Sequence, residues 1–232
     1  MIPLRDTIPS KRPPILTVVL IAANTLIFFY QMMMNDRQFL SFINEYGLVP
    51  ARYADVSVLL QSFNPALYFP FLSNMFLHGS WFHLLSNMWI LWLFGDNIED
   101  RMGRFGYFLF YILSGVAAGF VHFLFNQTSQ IPAVGASGAI AGVMGAYMLL
   151  FPYSKIITLI PIFVIIPLFV RIPAVLYLIV WFLSQLYAGA IQVFAGGMVG
   201  GVGWWAHIGG FIAGLLTNRL FLKQERYTGV IK

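Results

Sequence analysis

Residues 105–154, FGYFLFYILSGVAAGFVHFLFNQTSQIPAVGASGAIAGVMGAYMLLFPYS, form a run of 50 positions without a single charge. A helix needs about 20 predominantly apolar residues, at about 1.5 Å each, to cross a bilayer. This stretch therefore holds two crossings and the turn between them. Working outward, four further charge-free runs occupy 13–35, 56–95, 156–170 and 172–218, with lengths of 23, 40, 15 and 47 residues. The longest of these holds two more crossings, and the runs of 23 and 40 hold one each. The first half of 56–95 is broken by Gln61, Asn64, Pro65 and Pro70. Six spans follow, at about 15–34, 80–95, 105–125, 135–151, 172–193 and 204–222. The whole chain has 232 residues, 59% hydrophobic and 9% charged, against roughly a quarter charged in a soluble domain. The expected fold class is an all-α polytopic membrane protein, a bundle of six transmembrane helices.

The basic residues orient it. With the N-terminus inside, Arg5, Lys11, Arg12, Arg101, Arg104, Lys155, Arg171, Arg219, Lys223, Arg226 and Lys232 face the cytoplasm, and Arg37 and Arg52 face outward. That bias predicts both termini on the cytoplasmic side. The chain divides into a cytoplasmic tail at 1–14, a membrane domain at 15–222 with an outer interfacial loop at about 35–79, and a second cytoplasmic tail at 223–232. Segment 156–170 contains Pro161 and Pro167 and is too short to cross, so it reads as re-entrant or interfacial. The first apolar run lacks a small-residue cleavage site and reads as a retained span. With no cysteine in the sequence, disulfide scaffolds, thiolate metal sites and cysteine nucleophiles are excluded. The net charge of +5 is not gathered into a basic stripe interleaved with aromatics, so no nucleic-acid partner is expected. The positive-inside bias accounts for it.

Polar side chains within spans are costly and therefore informative. Ser137 stands in the first turn of span four, within Gly135-Ala136-Ser137-Gly138, where free N–H groups and the helix dipole favour developing negative charge. His207 opens span six within Trp204-Trp205-Ala206-His207. His83 opens span two, with Asn87 four residues on and on the same helix face. Ser137, His207 and His83 all lie near the outer ends of their spans. Small residues recur at Gly135, Gly138, Gly142 and Gly145 in span four and at Ala206, Gly210 and Gly214 in span six, a spacing that lets helix backbones approach closely. Such an approach would carry Ser137 towards His207, whose imidazole is the natural base for a serine nucleophile. No carboxylate lies within the spans to complete a triad. Taken singly, the glycines read as packing and a buried serine as bonded to its own helix. Their coincidence at one depth points to chemistry. His122, without such company, reads as structural, and His78 as an interfacial side chain or a brace for the outer loop.

These residues resemble the rhomboid intramembrane serine proteases over about residues 76–222. The motifs are Gly135-Ala136-Ser137-Gly138, Ala206-His207-Ile208-Gly209-Gly210 with Gly214, His83-x-x-x-Asn87, and Gly95-x-x-x-Glu99-x-x-x-Gly103. The serine motif is not the Gly-x-Ser-x-Gly elbow of the α/β-hydrolases, since Ala139 replaces the last glycine. The resemblance implies a serine endopeptidase that cuts transmembrane proteins near the outer membrane face. Ser137 would be the nucleophile and His207 the general base and acid. His83, Asn87 and the Ser137 N–H would stabilise the oxyanion, with Gly135, Gly138 and Gly210 providing substrate binding or close packing. No cofactor and no metal are implied. The partners would be transmembrane substrates and the lipid bilayer, and the location a cell membrane of multi-pass type, the bacterial cytoplasmic membrane. Two departures stand out. No Trp-Arg pair occurs between 35 and 79, and Ala141 occupies the position where some members stack a tyrosine on the histidine, so Tyr147 or a residue of span five must orient His207. The alternative reading is a catalytically silent relative that binds transmembrane helices. A transporter would show internal repeats and a polar path through the midplane, and neither is found.

Overall fold

Length and apolar content form the helices, and the computed structural model describes residues 1–54, 64–162, 166–195 and 202–223. In chain order the elements are β1 (Ile2–Arg5), α1 (Ile15–Met32), α2 (Asp36–Tyr46), α3 (Pro65–Ser73), α4 (Trp81–Phe125), α5 (Ser137–Leu150), β2 (Lys155–Ile162), β3 (Ile166–Pro173), α6 (Ala174–Phe194) and α7 (Trp204–Thr217). Short 3-10 turns cover Pro50–Tyr53, Asn74–Phe76 and Asn218–Phe221. The protein is mostly helical. Among the described residues α1, α4 and α6 are long and apolar enough to cross a membrane.

The expected spans at 80–95 and 105–125 are one element of 45 residues bent at Gly103, whose φ of 74° lies in the left-handed region that favours glycine. At about 67 Å it is long enough for two crossings of a core about 30 Å thick. The helix that holds span two therefore continues past residue 95, with Asp96, Glu99 and Asp100 inside it. Glu99 is tolerated there because it serves another helix. Its two carboxylate oxygens accept from the backbone N–H of Leu16 and Thr17, at 2.9 and 2.8 Å, and from the Thr17 hydroxyl at 2.9 Å. The residue that caps α1 in sequence is Pro14, which makes no side-chain bond, so the negative cap that the helix dipole favours is supplied from α4. Gly95 lets Thr17 come near: a Cβ there would meet Thr17 Oγ1 at 3.1 Å.

The 14-residue helices α5 and α7 are about 21 Å long, shorter than a full crossing. Helix α5 is buried continuously from Gly138 to Tyr147, as a helix that is apolar all round should be. It packs on α4 and α7 through backbone. A Cβ at Gly210 would collide with the Gly138 carbonyl, one at Gly214 with the Gly142 carbonyl, and one at Gly145 with the Phe211 carbonyl. The anticipated stripe is thus real for Gly138, Gly142 and Gly145, but Gly135 faces His83 instead.

Segment 156–170, read from the sequence as re-entrant or interfacial, is β-structure where it is described. It belongs to a hairpin, β2 against β3, paired in register from Lys155↔Pro173 to Ile162↔Ile166, and β1 adds a third antiparallel strand on β2. The apolar run and its prolines did not distinguish a buried strand from a membrane segment, whereas the β-branched Ile156, Ile157 and Thr158 suit a pleated surface. Nor are residues 1–14 a free tail. The Asp6 carboxylate accepts from Tyr147 Oη and, at 3.0 Å, from Asn97 Nδ2, and Trp89 Nε1 donates to the Pro3 carbonyl at 2.7 Å. The outer segment is structured too, where it is described. Leu48 and Tyr53 are buried with Phe123, and Leu48 exchanges backbone hydrogen bonds with Ala133 at 3.0 and 2.8 Å. This packing holds the loop without a Trp-Arg pair; residues 55–63 lie outside the described residues.

Gly210→Leu is expected to destabilise the protein by at least about 1–3 kcal/mol, since the added atoms meet backbone that cannot turn aside. Gly79→Ala, where a Cβ meets nothing within 4 Å, should stay within about 0.5 kcal/mol of the parent. Unfolding midpoints in mixed micelles titrated with a denaturing detergent measure both.

Candidate functional site

Three helices begin at one place. His83 is the third residue of α4, Ser137 the first of α5 and His207 the fourth of α7, so three positive dipole ends converge where these side chains meet. Close backbone approach sets their distance: His207 Nε2 lies 2.8 Å from Ser137 Oγ. Ala136 caps α5 without a side-chain bond, which leaves first-turn N–H groups directed at the same space.

His207 is oriented from span five, through Gln185. Its Nδ1 is 2.8 Å from Gln185 Oε1. The amide nitrogen of Gln185 donates to Ser184 Oγ at 2.9 Å and to the Trp181 carbonyl at 3.3 Å, which leaves the amide oxygen for His207. An amide oxygen only accepts, so the proton sits on Nδ1 and Nε2 is free to accept from Ser137. Trp181 and Trp204 flank the ring, with centroids at 6.0 and 6.1 Å. Tyr147 has no part in this. It lies at the far end of α5, bonded to Asp6 and, at 3.0 Å, to Ser154 Oγ. The sequence pointed to Tyr147 or an unspecified residue of span five, because nothing in its own helix marks which neighbour Gln185 serves.

His83 and Asn87 line the same cavity as Ser137 and His207, a space of about 980 Å³. A Cβ at Gly135 would come within 2.6 Å of His83 Nε2 and 3.5 Å of Asn87 Nδ2, so both side chains meet the backbone two residues before the serine. Gly135 has φ 125°, a left-handed conformation that glycine adopts without strain. Gly138, next to the serine, and Gly210 pack α5 on α7.

Two histidines carry more than the sequence suggested. His78 is fully buried, and its Nε2 accepts from Asn87 Nδ2 at 3.0 Å. Its own backbone is held on both sides by Gln31, which accepts from the His78 N–H at 3.1 Å and donates to its carbonyl at 3.2 Å. It therefore orients Asn87 and is not an interfacial side chain. Burial first, and the neighbouring His83 second, push the His78 pKa down to about 3. His122 also lines the cavity, beside Asn126, whose Nδ2 donates to the His122 carbonyl at 2.9 Å. Gln192 donates in turn to Asn126 Oδ1 at 3.3 Å. The glycine-rich connection before α7 falls largely on residues 196–201, which lie outside the described residues.

Known proteins are similar to this chain in sequence. The family model of the Rhomboid domain matches residues 65–224. The Rhomboid-like protein 11, chloroplastic, of Arabidopsis thaliana is 38% identical over 86 residues, 37% of this chain and 30% of the relative. Rhomboid protein 1, mitochondrial, of Saccharomyces cerevisiae is 30% identical over 110 residues, 46% of this chain and 32% of the relative. The Presenilin-associated rhomboid-like protein, mitochondrial, of Homo sapiens is 34% identical over 106 residues, 43% and 28% respectively. The matched part spans about three-tenths of the length of these relatives. Their names place them in organelles, so they lend no support to a bacterial cytoplasmic membrane.

His78 sets a pH dependence. A histidine whose folded pKa lies near 3, against the usual value of about 6.5 when unfolded, contributes stability that is present above pH 6.5 and is lost as pH falls towards 3. His78→Gln should flatten this acid limb, and unfolding midpoints of both proteins from pH 7 to pH 4 measure the difference. A slope unchanged by the substitution would mean that other groups carry it.

Proposed function

Because the chain belongs to the rhomboid family, we propose that it is an intramembrane serine endopeptidase that cleaves transmembrane proteins near the outer end of its cavity. The observation that carries this reading is the 2.8 Å contact of Ser137 Oγ with His207 Nε2, in the tautomer that Gln185 imposes. In the proposed reaction Ser137 Oγ attacks the scissile carbonyl carbon as His207 Nε2 takes its proton. The negative charge passes to the carbonyl oxygen, where His83, Asn87 and the Ser137 N–H donate to it within the field of three helix N-termini. Collapse of the tetrahedral intermediate expels the amine, to which His207 returns the proton. Water, deprotonated by the same imidazole, then releases the acyl group from Ser137.

The membrane arrangement belongs to the same reading. The domain is multi-pass, with six crossings that include the short α5 and α7, and with both termini on the cytoplasmic side, as the basic residues favour. The membrane domain of 15–222 carries the activity. A substrate helix hides its carbonyls in its own hydrogen bonds, so it unwinds before attack, and weak helix formers near the cut ease that step.

Purified protein reconstituted with single-span substrates tests the proposal. Ser137→Ala and His207→Ala should each lower cleavage by at least about a thousandfold while the protein stays folded. Substantial cleavage by a folded Ser137→Ala variant would sink the assignment. Binding of transmembrane helices with no Ser137-dependent cleavage would favour the silent alternative. Asn87→Ala should lower kcat by about 10- to 1000-fold with a smaller effect on KM.

Gln185→Leu removes the acceptor that fixes the imidazole. It should lower kcat by about 10- to 100-fold, part of the roughly 10²–10⁴ that a positioned base supplies, and displace the pH profile. Gln185→Glu restores an acceptor and should move the acid limb upward, since a carboxylate beside the ring favours its charged form. Loss of activity without any movement of the pH profile in either variant would reduce Gln185 to a packing role.

A further inference from the structure

The three-stranded sheet has one face turned inward and one turned out, and strand alternation sorts its residues. Inward lie Pro3, Ile156 and Thr158, all buried. The outward face is ordered in cross-strand rows. One row is Arg5–Ile157–Arg171, from the pairs Arg5↔Ile157 and Ile157↔Arg171, and the next is Ile2–Leu159–Phe169. Lys155 lies on the same face, two positions before Ile157. The irregularity of β1 between Pro3 and Arg5 keeps Ile2 and Arg5 on this one face.

The outward face therefore has a basic end and an apolar end. Arg5, Lys155 and Arg171 are exposed, and two strand spacings put the arginines about 10 Å apart. Beyond them Ile2 and Phe169 are 49% and 61% exposed. A large aromatic and an isoleucine on either side of Leu159 in one row of a three-stranded sheet are unfavourable in water unless something covers them. What covers them follows from connection and charge. Strand β3 passes without a linker into α6, whose Leu176, Val180 and Leu183 are exposed on a helix long and apolar enough to cross a membrane. The sheet is thus fixed where that helix leaves the bilayer. Its cations match an anionic surface, and its apolar end matches the boundary of the acyl chains beneath.

We propose that the outward face of the β1-β2-β3 sheet docks on the anionic phospholipid surface of the bilayer that α6 crosses, with Arg5, Lys155 and Arg171 among the headgroup phosphates and Ile2, Leu159 and Phe169 at the acyl boundary. The apolar residues supply depth and the basic row supplies lipid selectivity, the two contributions that hold interfacial elements on charged membranes. The sheet then anchors the segment before α1 and the connection between α5 and α6 to the same lipid surface. This proposal concerns lipid contact and does not rest on the proposed chemistry.

The absence of native cysteine allows a direct test. The full chain carrying Phe169→Cys, labelled with an environment-sensitive fluorophore, is reconstituted in phosphatidylcholine vesicles and in vesicles with about 30% phosphatidylglycerol, with brominated acyl chains as lipid quencher and iodide as aqueous quencher. Lipid quenching should be at least about twofold greater in the anionic vesicles, with iodide quenching correspondingly lower. The combined Arg5→Gln, Lys155→Gln, Arg171→Gln variant should abolish that difference, as should salt near 1 M, where the screening length falls to about 3 Å. A label at Ile2→Cys on the opposite edge strand should report the same contact, and helical content by circular dichroism confirms that each variant is folded. Three results overturn the proposal: labels that both stay open to iodide and untouched by brominated lipid, lipid quenching that ignores lipid charge and the basic row, or efficient disulfide linking of two copies through residue 169, which would assign the face to a second copy of the chain.

Discussion

The contact on which everything else depends is made of backbone. Where α5 crosses α7, the carbonyls of Gly138 and Gly142 occupy the space that side chains at Gly210 and Gly214 would need. In lipid the hydrophobic effect does not drive helices together, so close van der Waals contact between small residues has to do so. Ser137 precedes Gly138 by one residue and His207 precedes Gly210 by three, so the closest approach of the two helices lies within a turn of both. The 2.8 Å between their side chains is thus a by-product of packing, and a bulkier residue on either face would separate the pair before it touched any chemistry.

A second constraint is that polar groups taken out of water must find partners within the protein. At three places the molecule meets it by exchange between elements. Glu99 in α4 caps α1, Gln185 in α6 fixes the ring of His207 in α7, and His78 before α4 holds Asn87 within it. Each bond satisfies a buried group and fixes an orientation at the same time. This explains how a site can be built without a carboxylate beside the histidine: a neutral amide oxygen selects the Nδ1–H tautomer without bringing a charge into the interior.

How much of this could be read from the sequence follows from whether the signal was local. The apolar runs and the spacing of Gly138, Gly142, Gly210 and Gly214 are periodic along single helices, and they led to the pairing of Ser137 with His207. The His83-x-x-x-Asn87 spacing placed two side chains on one face of α4, and both line the cavity. Gln185 and His78 were not legible as partners, because a hydrogen bond between elements leaves no period in either one. That the helix of span two continues past residue 95 was not legible, since Asp96 and Glu99 end the charge-free run and their partners, Asn97, Leu16 and Thr17, are known only from the fold. The hairpin was missed for a different reason. An apolar run of 15 residues between two cations fits a short buried segment of any kind, and the strand that completes the sheet lies more than 150 residues earlier, at Ile2–Arg5, in what looked like a tail.

The length of α5 connects the two ends of the molecule. Its C-terminal part is tied by Tyr147 to Asp6 and to Ser154, just before the sheet, which keeps that end level with charged and polar groups that belong at a membrane boundary. Its fourteen residues make a helix of about 21 Å, roughly 9 Å less than the thickness of a hydrocarbon core of about 30 Å. Fixed at its far end, the short helix sets where Ser137 stands, in the wall of the cavity of about 980 Å³ that Ser137, Gly138 and Ala139 help to line. The first-turn N–H groups of α5 face that space, because no earlier turn exists to accept them. The start of α5 at the cavity wall therefore brings the serine and the free first-turn donors to one place.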